Sequence, residues 1–190
     1  MLDAFFEYSM YAVTPELVDV STKHKIEVPG RFYYLTCHRE ENTDFSTLQS
    51  ILDAMDMLDY PVIYPVHPRN RANVMAILGD KDYSNIVFAD PLGYLESLYL
   101  VNNAEQVITD SGGLQREAFF AGVKCTTLLD FEVWPETMVE GRNILAQPGQ
   151  ESILHAMQIP QHIDPAYNPF GDGHAASKIV ARIESAFNSY

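Results

Sequence analysis

The sequence predicts an α/β domain in which a mostly parallel β-sheet is flanked by helices. Short apolar runs alternate with segments of helical spacing through most of the chain. Most of these runs hold few charged residues or none, which is typical of strands buried on both faces. Such an alternation calls for right-handed crossover connections between parallel strands. We therefore expect a Rossmann-like sheet.

The predicted strands are the apolar runs themselves. Five of the runs are predicted to be strands, and a sixth run is expected to extend the sheet. They cover residues 32–37, 62–66, 86–89, 106–109, 125–129 and 143–146.

The predicted helices lie between and around these strands. Asp44 is placed to cap the helix that follows it, and Gly122 is placed to end the helix before it. Residues 158–173 are rich in Pro, Gly, Asp and Asn and are predicted to form a loop. The helical segments are residues 3–11, 45–58, 69–78, 94–101, 113–120, 151–157 and 175–187.

Composition restricts the class of protein. A chain of 190 residues with 47% hydrophobic and 20% charged residues suits one globular domain with a full core. Its 12 basic and 26 acidic residues give a net charge of −14, which argues against nucleic-acid binding.

The chain also lacks the signals of a membrane or secreted protein. No apolar run approaches the roughly 20 residues that span a bilayer, and no basic segment precedes an apolar one as in a signal peptide. Cys37 and Cys125 lie far apart in apolar runs, which argues against a disulfide framework or a zinc site. We expect a cytoplasmic protein.

Polar or glycine-containing segments follow five of the predicted strands. Open parallel sheets bind ligands beyond the carboxyl ends of their strands, so these segments are the candidate site. The alternative is that they are ordinary solvated loops. The segments are residues 38–40, 67–69, 90–94 and 110–113, and Asp130.

The segment 109–117 joins a strand to a helix and is the most informative of the five. Gly112 and Gly113 would let the backbone approach a ligand, and the helix N-terminus offers free N–H groups to a diphosphate. Ser111 could add a hydroxyl donor, and Glu117, one turn later, could accept from ribose hydroxyls. The alternative is a tight turn in which Ser111 only caps the helix.

His38 and His67 follow two successive strands and are expected to face one crevice. Each could be a core histidine, a metal ligand, or a group that donates to phosphate or transfers a proton. The HExxH spacing of a metal site is absent, and the nearby phosphate loop favours the last role. Arg39 and Arg69 lie beside the histidines, and one of them could pair with a carboxylate instead.

Five ordered motifs resemble the non-hydrolysing UDP-N-acetylglucosamine 2-epimerases. Within that family, the residues of the third and fourth motifs are similar to those of the branch that acts on UDP-2,3-diacetamido-glucuronic acid. The motifs are Thr-Cys-His-Arg-Glu-Glu-Asn at 36–42, Pro-Val-His-Pro-Arg at 65–69, Asp-Pro-Leu-Gly-Tyr at 90–94, Thr-Asp-Ser-Gly-Gly-Leu-Gln-Arg-Glu-Ala at 109–118 and Asn-Pro-Phe-Gly-Asp-Gly at 168–173.

The resemblance implies one half of a two-domain GT-B fold, with the active site in the cleft between the halves. Members are about twice this length, so residues 1–190 are expected to be the UDP-binding C-terminal domain alone. That domain would be an excised piece, a proteolysed piece or a split gene product. The intact enzyme is expected to be a homodimer without metal or cofactor.

The family's reaction eliminates UDP from a UDP-N-acetyl-hexosamine and adds it back with inversion at C2. The resemblance implies that His38 is catalytic, near the diphosphate and the reacting sugar. It further implies a diphosphate held by Ser111, Gly112 and Gly113, a ribose held by Glu117, and a uracil beside Gly93, Tyr94 and Ser97.

Other residues are candidates to line the active site, although the family's catalytic carboxylates lie mostly in the other domain. Trp134 is equally a candidate for the core. These candidates are Arg39, His67, Arg69, Asp110, Trp134 and Glu136.

The sequence departs from the family pattern at two places. Glu40 replaces the second arginine of the His-Arg-Arg-Glu-Asn motif, which argues against regulation by substrate at that arginine. The loop at 129–136 lacks two arginines of the family pattern. Two other functions are consistent with the motifs: a fragment of a GT-B glycosyltransferase, or a nucleotide-sugar-binding module without catalysis.

Overall fold

The computed structural model describes residues 1–187, so the last three positions of the predicted domain lie outside it. Its centre is a sheet of six parallel strands in the order β5-β4-β3-β6-β7-β8, which confirms the predicted fold class. A separate antiparallel pair, β1 and β2, precedes this sheet in the chain. The strands are β1 (Leu17–Val18), β2 (Lys25–Ile26), β3 (Tyr33–Thr36), β4 (Val62–Pro65), β5 (Ile86–Ala89), β6 (Gln106–Thr109), β7 (Lys124–Leu128) and β8 (Asn143–Ala146).

Eight α-helices connect and flank the strands within the described part of the chain. Short 3₁₀ turns supplement them at Pro68–Asn70, Pro135–Thr137 and Val139–Gly141. The helices are α1 (Leu2–Ser9), α2 (Glu40–Thr43), α3 (Phe45–Asp56), α4 (Arg71–Asp80), α5 (Tyr94–Asn103), α6 (Gly112–Ala121), α7 (Gln150–Gln158) and α8 (Ala175–Phe187).

The strand order reverses at the centre of the sheet. From β3 the chain proceeds outwards through β4 and β5, whereas from β6 it proceeds the other way through β7 and β8. The two central strands pair in parallel register from Tyr33 opposite Gln106 to Thr36 opposite Thr109. The connections after β3 and β6 therefore diverge and leave a crevice at the carboxyl ends of the strands.

Two apolar layers cover the two faces of the sheet. Alternation along the strands divides the side chains, so Leu35 and Tyr64 pack with α3, α4 and α7, while Tyr34 and Ile63 pack with α5 and α6. All four of these side chains are buried. Burial on both faces is the physical reason that the strands read as nearly continuous apolar runs.

Both predicted helix signals are confirmed. The Asp44 carboxylate accepts hydrogen bonds from the backbone N–H groups of Ser46 and Thr47 at the start of α3. Gly122 adopts a left-handed conformation with φ of 68° directly after α6, which ends that helix.

One helix begins later than predicted, and three elements were not predicted. The helix expected from residue 69 begins at Arg71, because Pro68 starts a 3₁₀ turn in which His67 Nδ1 accepts from the N–H of Arg69. The pair β1–β2 and the helix α2 are too short to carry a hydrophobic period.

The helix α8 matches its predicted bounds but does not pack on the core. Its large apolar residues are at least half exposed, with 50% for Ile183 and 78% for Phe187. Its first turn is joined to α1 by the N–H of Ala176, which donates to Asp3 Oδ2 at 2.8 Å. Among the helices described, none is long and apolar enough to cross a membrane.

We predict that Ile51→Ala lowers the free energy of unfolding by about 2–5 kcal/mol, because it opens a cavity in a fully buried part of α3. The matched control is Ile183→Ala in α8, expected to cost no more than about 0.5 kcal/mol because that side chain is half exposed. Urea unfolding followed by circular dichroism measures both. Equal losses for the two variants would contradict this assignment of the core.

Candidate functional site

A cavity of about 340 Å³ lies at the carboxyl ends of β3, β4, β5 and β6. It occupies the crevice beside the reversal of strand order. The predicted site residues on its wall are His38, His67, Ser97, Ser111, Gly113 and Glu117. The other lining residues are Tyr34, Thr36, Cys37, Pro65, Pro91, Leu92 and Leu114.

The N-terminus of α6 forms one wall of this cavity. Ser111 caps the helix, because its Oγ accepts from the N–H of Leu114 at 3.3 Å, while its own N–H donates to Thr109 Oγ1. The N–H groups of Gly112 and Gly113 begin the helix and find no acceptor within residues 1–187. These two N–H groups and the positive end of the helix dipole suit an anionic ligand.

The two glycines face different surroundings. A Cβ atom on Gly112 would lie 3.0 Å from Trp134 Nε1 and 3.1 Å from Val133 Cγ1, so this position faces the loop after β7. A Cβ atom on Gly113 would make only ordinary contacts, at 3.5 Å from Ser111 Oγ. The packed indole of Trp134 therefore favours glycine at position 112. The sequence suggested a different reason for this glycine, which is the close approach of a ligand.

Asp110 lies beneath the site and is completely buried. Its Oδ2 accepts from the backbone N–H groups of His38 and Arg39, each at 2.8 Å, and from Asn42 Nδ2 at 3.3 Å. Its Oδ1 lies 2.8 Å from His38 Nδ1. Asp110 therefore positions the histidine and does not line the cavity.

The contact between His38 and Asp110 shifts both pKa values. The hydrogen bond to Asp110 is the largest effect on His38 and raises its pKa above the ordinary 6.5, although partial burial opposes this. Burial acts to raise the pKa of Asp110, but His38 and the two N–H donors outweigh it, so that pKa falls below 3.8. Because Nδ1 faces Asp110, the imidazole ring of His38 presents its Nε2 edge to the cavity.

His67 lies beside His38 on the cavity wall, with 6.0 Å between the ring centroids. Its Nδ1 is engaged by the N–H of Arg69, so its Nε2 is the ring nitrogen that remains for a ligand. The two histidines thus share one side of the cavity. Within residues 1–187, no group of three or more His, Cys, Asp and Glu side chains is arranged to hold a metal ion.

Glu117 and Tyr94 form a pair at the end of the cavity nearest α5. The Tyr94 hydroxyl donates to Glu117 Oε1 at 3.1 Å, which leaves Oε2 for another donor. Burial is the main cause that raises the pKa of Glu117, and burial with the nearby carboxylate raises the pKa of Tyr94 to about 12. Tyr94 itself is half exposed and supports Glu117 from outside the cavity wall.

The floor of the cavity contains Tyr34, which the sequence did not single out, beside the predicted Ser97. Tyr34 and Ser97 share a hydrogen bond of 2.9 Å between their hydroxyl oxygens. Tyr34 lies inside a strand, where an aromatic residue reads as core, so no local signal could have revealed it. The N–H of Gly93 is occupied by Glu96 Oε2 at 2.7 Å, as part of a helix cap on α5.

Besides Asp110, four other predicted lining residues lie away from this cavity. Arg39 donates from Nε to the carbonyl of Asp110 and borders a neighbouring cavity of about 520 Å³. Arg69 and Glu136 are exposed. Trp134 stacks on Arg116, with the guanidinium carbon 3.9 Å from the ring centroid. Neither arginine beside the histidines forms an ion pair with a carboxylate among residues 1–187.

The chain matches the family model described as UDP-N-acetylglucosamine 2-epimerase over residues 1–184. A UDP-N-acetylglucosamine 2-epimerase homolog from Methanococcus maripaludis is 39% identical over 155 residues, which cover 79% of this chain and 43% of the relative. The UDP-2,3-diacetamido-2,3-dideoxy-D-glucuronate 2-epimerase of Pseudomonas aeruginosa is 37% identical over 155 residues, covering 78% and 43% respectively. These similar identities do not separate the branches.

Solved structures show the same relation. The crystal structure of Methanocaldococcus jannaschii UDP-GlcNAc 2-epimerase in complex with UDP-GlcNAc and UDP superposes with a TM-score of 0.77 at 31% identity. That superposition covers 97% of this chain and 52% of the other. The chain thus spans about half the length of the relatives that it matches, and its fold corresponds to half of a GT-B-like epimerase.

We predict that the His38–Asp110 pair stabilises the domain most between about pH 4 and pH 6.5. Because the pKa of His38 is raised, its contribution to the free energy of unfolding is fully present below pH 6.5. That contribution is lost as the pH rises through the pKa of His38 in the folded state. The lowered pKa of Asp110 means that its contribution is present above 3.8 and is lost as the pH falls through the folded value.

Thermal melts of the parent and of His38→Gln from pH 4 to pH 9 measure this effect. The difference in melting temperature should be largest near pH 5.5 and should shrink towards pH 9. His155→Gln, on the surface helix α7, is the matched control. A difference that grows with pH would contradict the orientation assigned to the pair.

Proposed function

Since the chain belongs to the UDP-N-acetylglucosamine 2-epimerase family, we propose that it is the UDP-binding half of a UDP-sugar 2-epimerase and the C-terminal of its two domains. One observation carries the proposal: the N-terminus of α6, His38 and Glu117 meet at a single cavity. In a bound UDP-sugar, the N-terminus of α6 would contact the phosphates and Glu117 would contact the ribose. His38 would lie where the diphosphate joins the sugar.

The diphosphate is proposed to bind the N–H groups of Gly112 and Gly113. Both groups lack an internal partner, and a hydrogen bond from an N–H to a charged oxygen is worth roughly 1.5–3 kcal/mol. The net charge of −14 opposes an anion only weakly at this point, because salt screens charges beyond about 8 Å. Direct donors therefore outweigh the overall field.

The nucleoside is proposed to extend from the phosphates towards α5. Glu117 Oε2 is available to accept from the ribose hydroxyls, since Tyr94 engages only Oε1. Beyond it, Pro91, Leu92 and the Tyr34–Ser97 hydroxyl pair offer an apolar wall with a polar floor, which suits a planar base.

His38 is proposed to act on the departing diphosphate. In the eliminating step the C1–O bond breaks and its electron pair leaves with UDP, while a proton is lost from C2; re-addition reverses both with inversion at C2. An imidazolium held by Asp110 stabilises the charge that develops on the diphosphate oxygen. The groups that exchange the C2 proton are proposed to come from the other half of the enzyme.

The substrate class that we propose is a UDP-N-acetyl-hexosamine, and the motif wording at 90–94 and 110–115 favours the 2,3-diacetamido-glucuronate branch. A glycosyltransferase fragment and a binding module without catalysis are the competing functions. Product analysis of the intact enzyme distinguishes them, because only an epimerase yields the C2 epimer without an acceptor.

We predict that the 190-residue chain binds UDP and that Glu117→Gln weakens binding of UDP about tenfold. The neutral amide is a weaker acceptor for ribose hydroxyls, so binding of 2′,3′-dideoxy-UDP should change by less than about twofold. Calorimetry with both ligands measures this effect, and Glu151→Gln in α7 is the matched control. Equal losses for the two ligands would place Glu117 away from the ribose.

We also predict that the chain alone has no measurable epimerase activity. It spans about half of its relatives, so the cleft cannot close around the sugar and exclude water. Incubation with UDP-N-acetylglucosamine in deuterium oxide, followed by NMR at the sugar C2, is the measurement. Incorporation of deuterium at C2 by the purified chain would refute this prediction.

A further inference from the structure

We propose that Trp134 is a positioning residue that holds the Gly112–Gly113 backbone in place for the diphosphate. The inference rests on the proposed function and assigns a role to a side chain outside the cavity. Trp134 is the only tryptophan of the chain and sits in the loop between β7 and β8. It lies where the sequence departs from its family pattern.

The indole packs directly on the first residue of α6. A Cβ atom on Gly112 would lie 3.0 Å from Trp134 Nε1, which is closer than side chains normally approach. A side chain at position 112 would therefore fit only if the indole moved away from the Gly112 backbone. The turn that begins α6 therefore meets the cavity at Ser111 and Gly113 and the indole at Gly112.

The indole is itself held in place from several directions. The Arg116 guanidinium covers its ring at 3.9 Å, and Arg116 Nε donates to the carbonyl of Gly112 at 3.4 Å. The Trp134 carbonyl accepts from both the N–H and the hydroxyl of Thr137, at 2.9 and 2.8 Å. Gln115 Nε2 donates to the same hydroxyl at 2.6 Å. Gln115 and Thr137 are fully buried, so the loop is fixed to α6.

This arrangement makes the indole a rigid support for the phosphate-binding turn. Without the ring, the Ser111–Gly113 turn gains the freedom that two adjacent glycines allow, and the N–H groups lose their fixed direction. A ligand must then pay the ordering cost on binding, and only ligands that use these N–H groups are affected.

The test compares UDP with uridine, which has the same base and ribose but no phosphates. Calorimetry on Trp134→Leu should show UDP binding weakened about tenfold and uridine binding changed by less than about twofold. Trp134→Phe keeps an aromatic ring over Arg116 and should restore most of the UDP affinity. A loss of both ligands in equal measure would show a purely structural role and overturn the proposal.

A double-mutant cycle tests the contact itself. Gly112→Ala should weaken UDP binding about tenfold when Trp134 is present, and by less than about twofold in the Trp134→Leu background, where the methyl group finds space. The same loss in both backgrounds would overturn the proposal. Thermal melts of each variant verify that it is folded.

The parent chain offers a measurement that needs no substitution. Because Trp134 is the only tryptophan, UDP should change its fluorescence, whereas uridine should not. Unchanged fluorescence on saturation with UDP would overturn the role of Trp134 but leave the proposed function intact. Failure of the parent chain to bind UDP by calorimetry would overturn both.

Discussion

The buried carboxylate of Asp110 holds the candidate site together. It lies where the strand order reverses, directly after β6, and it accepts hydrogen bonds from the connection that follows β3. The backbone N–H groups of His38 and Arg39 and the side chain of Asn42 all converge on it. In a parallel sheet the connections after β3 and β6 diverge. The carboxylate of Asp110 links these two connections by its hydrogen bonds.

This arrangement explains how an acidic chain can hold the proposed anion site. A charge of −14 is spread over the whole sequence, and the carboxylate beneath the site, that of Asp110, is buried and directed at His38. Its effect on the cavity is to raise the pKa of His38. The donors proposed to contact the anion are His38 and the N–H groups of α6, whose effect at contact distance exceeds that of screened charges further away.

Aromatic rings from the loops after β7 and α7 pack along α6. Trp134 and Phe170 lie within ring-contact distance of each other, and Phe170 also contacts Phe119 and Phe120 in α6. The guanidinium of Arg142 covers Phe119 at 4.1 Å. Residues that do not reach the cavity thus pack around α6, which is why substitutions in this layer are informative about the turn at its N-terminus.

The sequence by itself determined the alternation of strands and helices, the caps at Asp44 and Gly122, and the segments that end up at the crevice. Those features depend on neighbours within a few residues, so periodicity and local chemistry reveal them. The tertiary structure alone decided that Gly112 faces Trp134 and that Tyr34 reaches the cavity floor. It also decided that Asp110 accepts a hydrogen bond from the backbone of His38, which lies 72 positions earlier in the chain. These contacts join residues far apart in sequence, and packing across the sheet fixes them, so no local pattern encodes them.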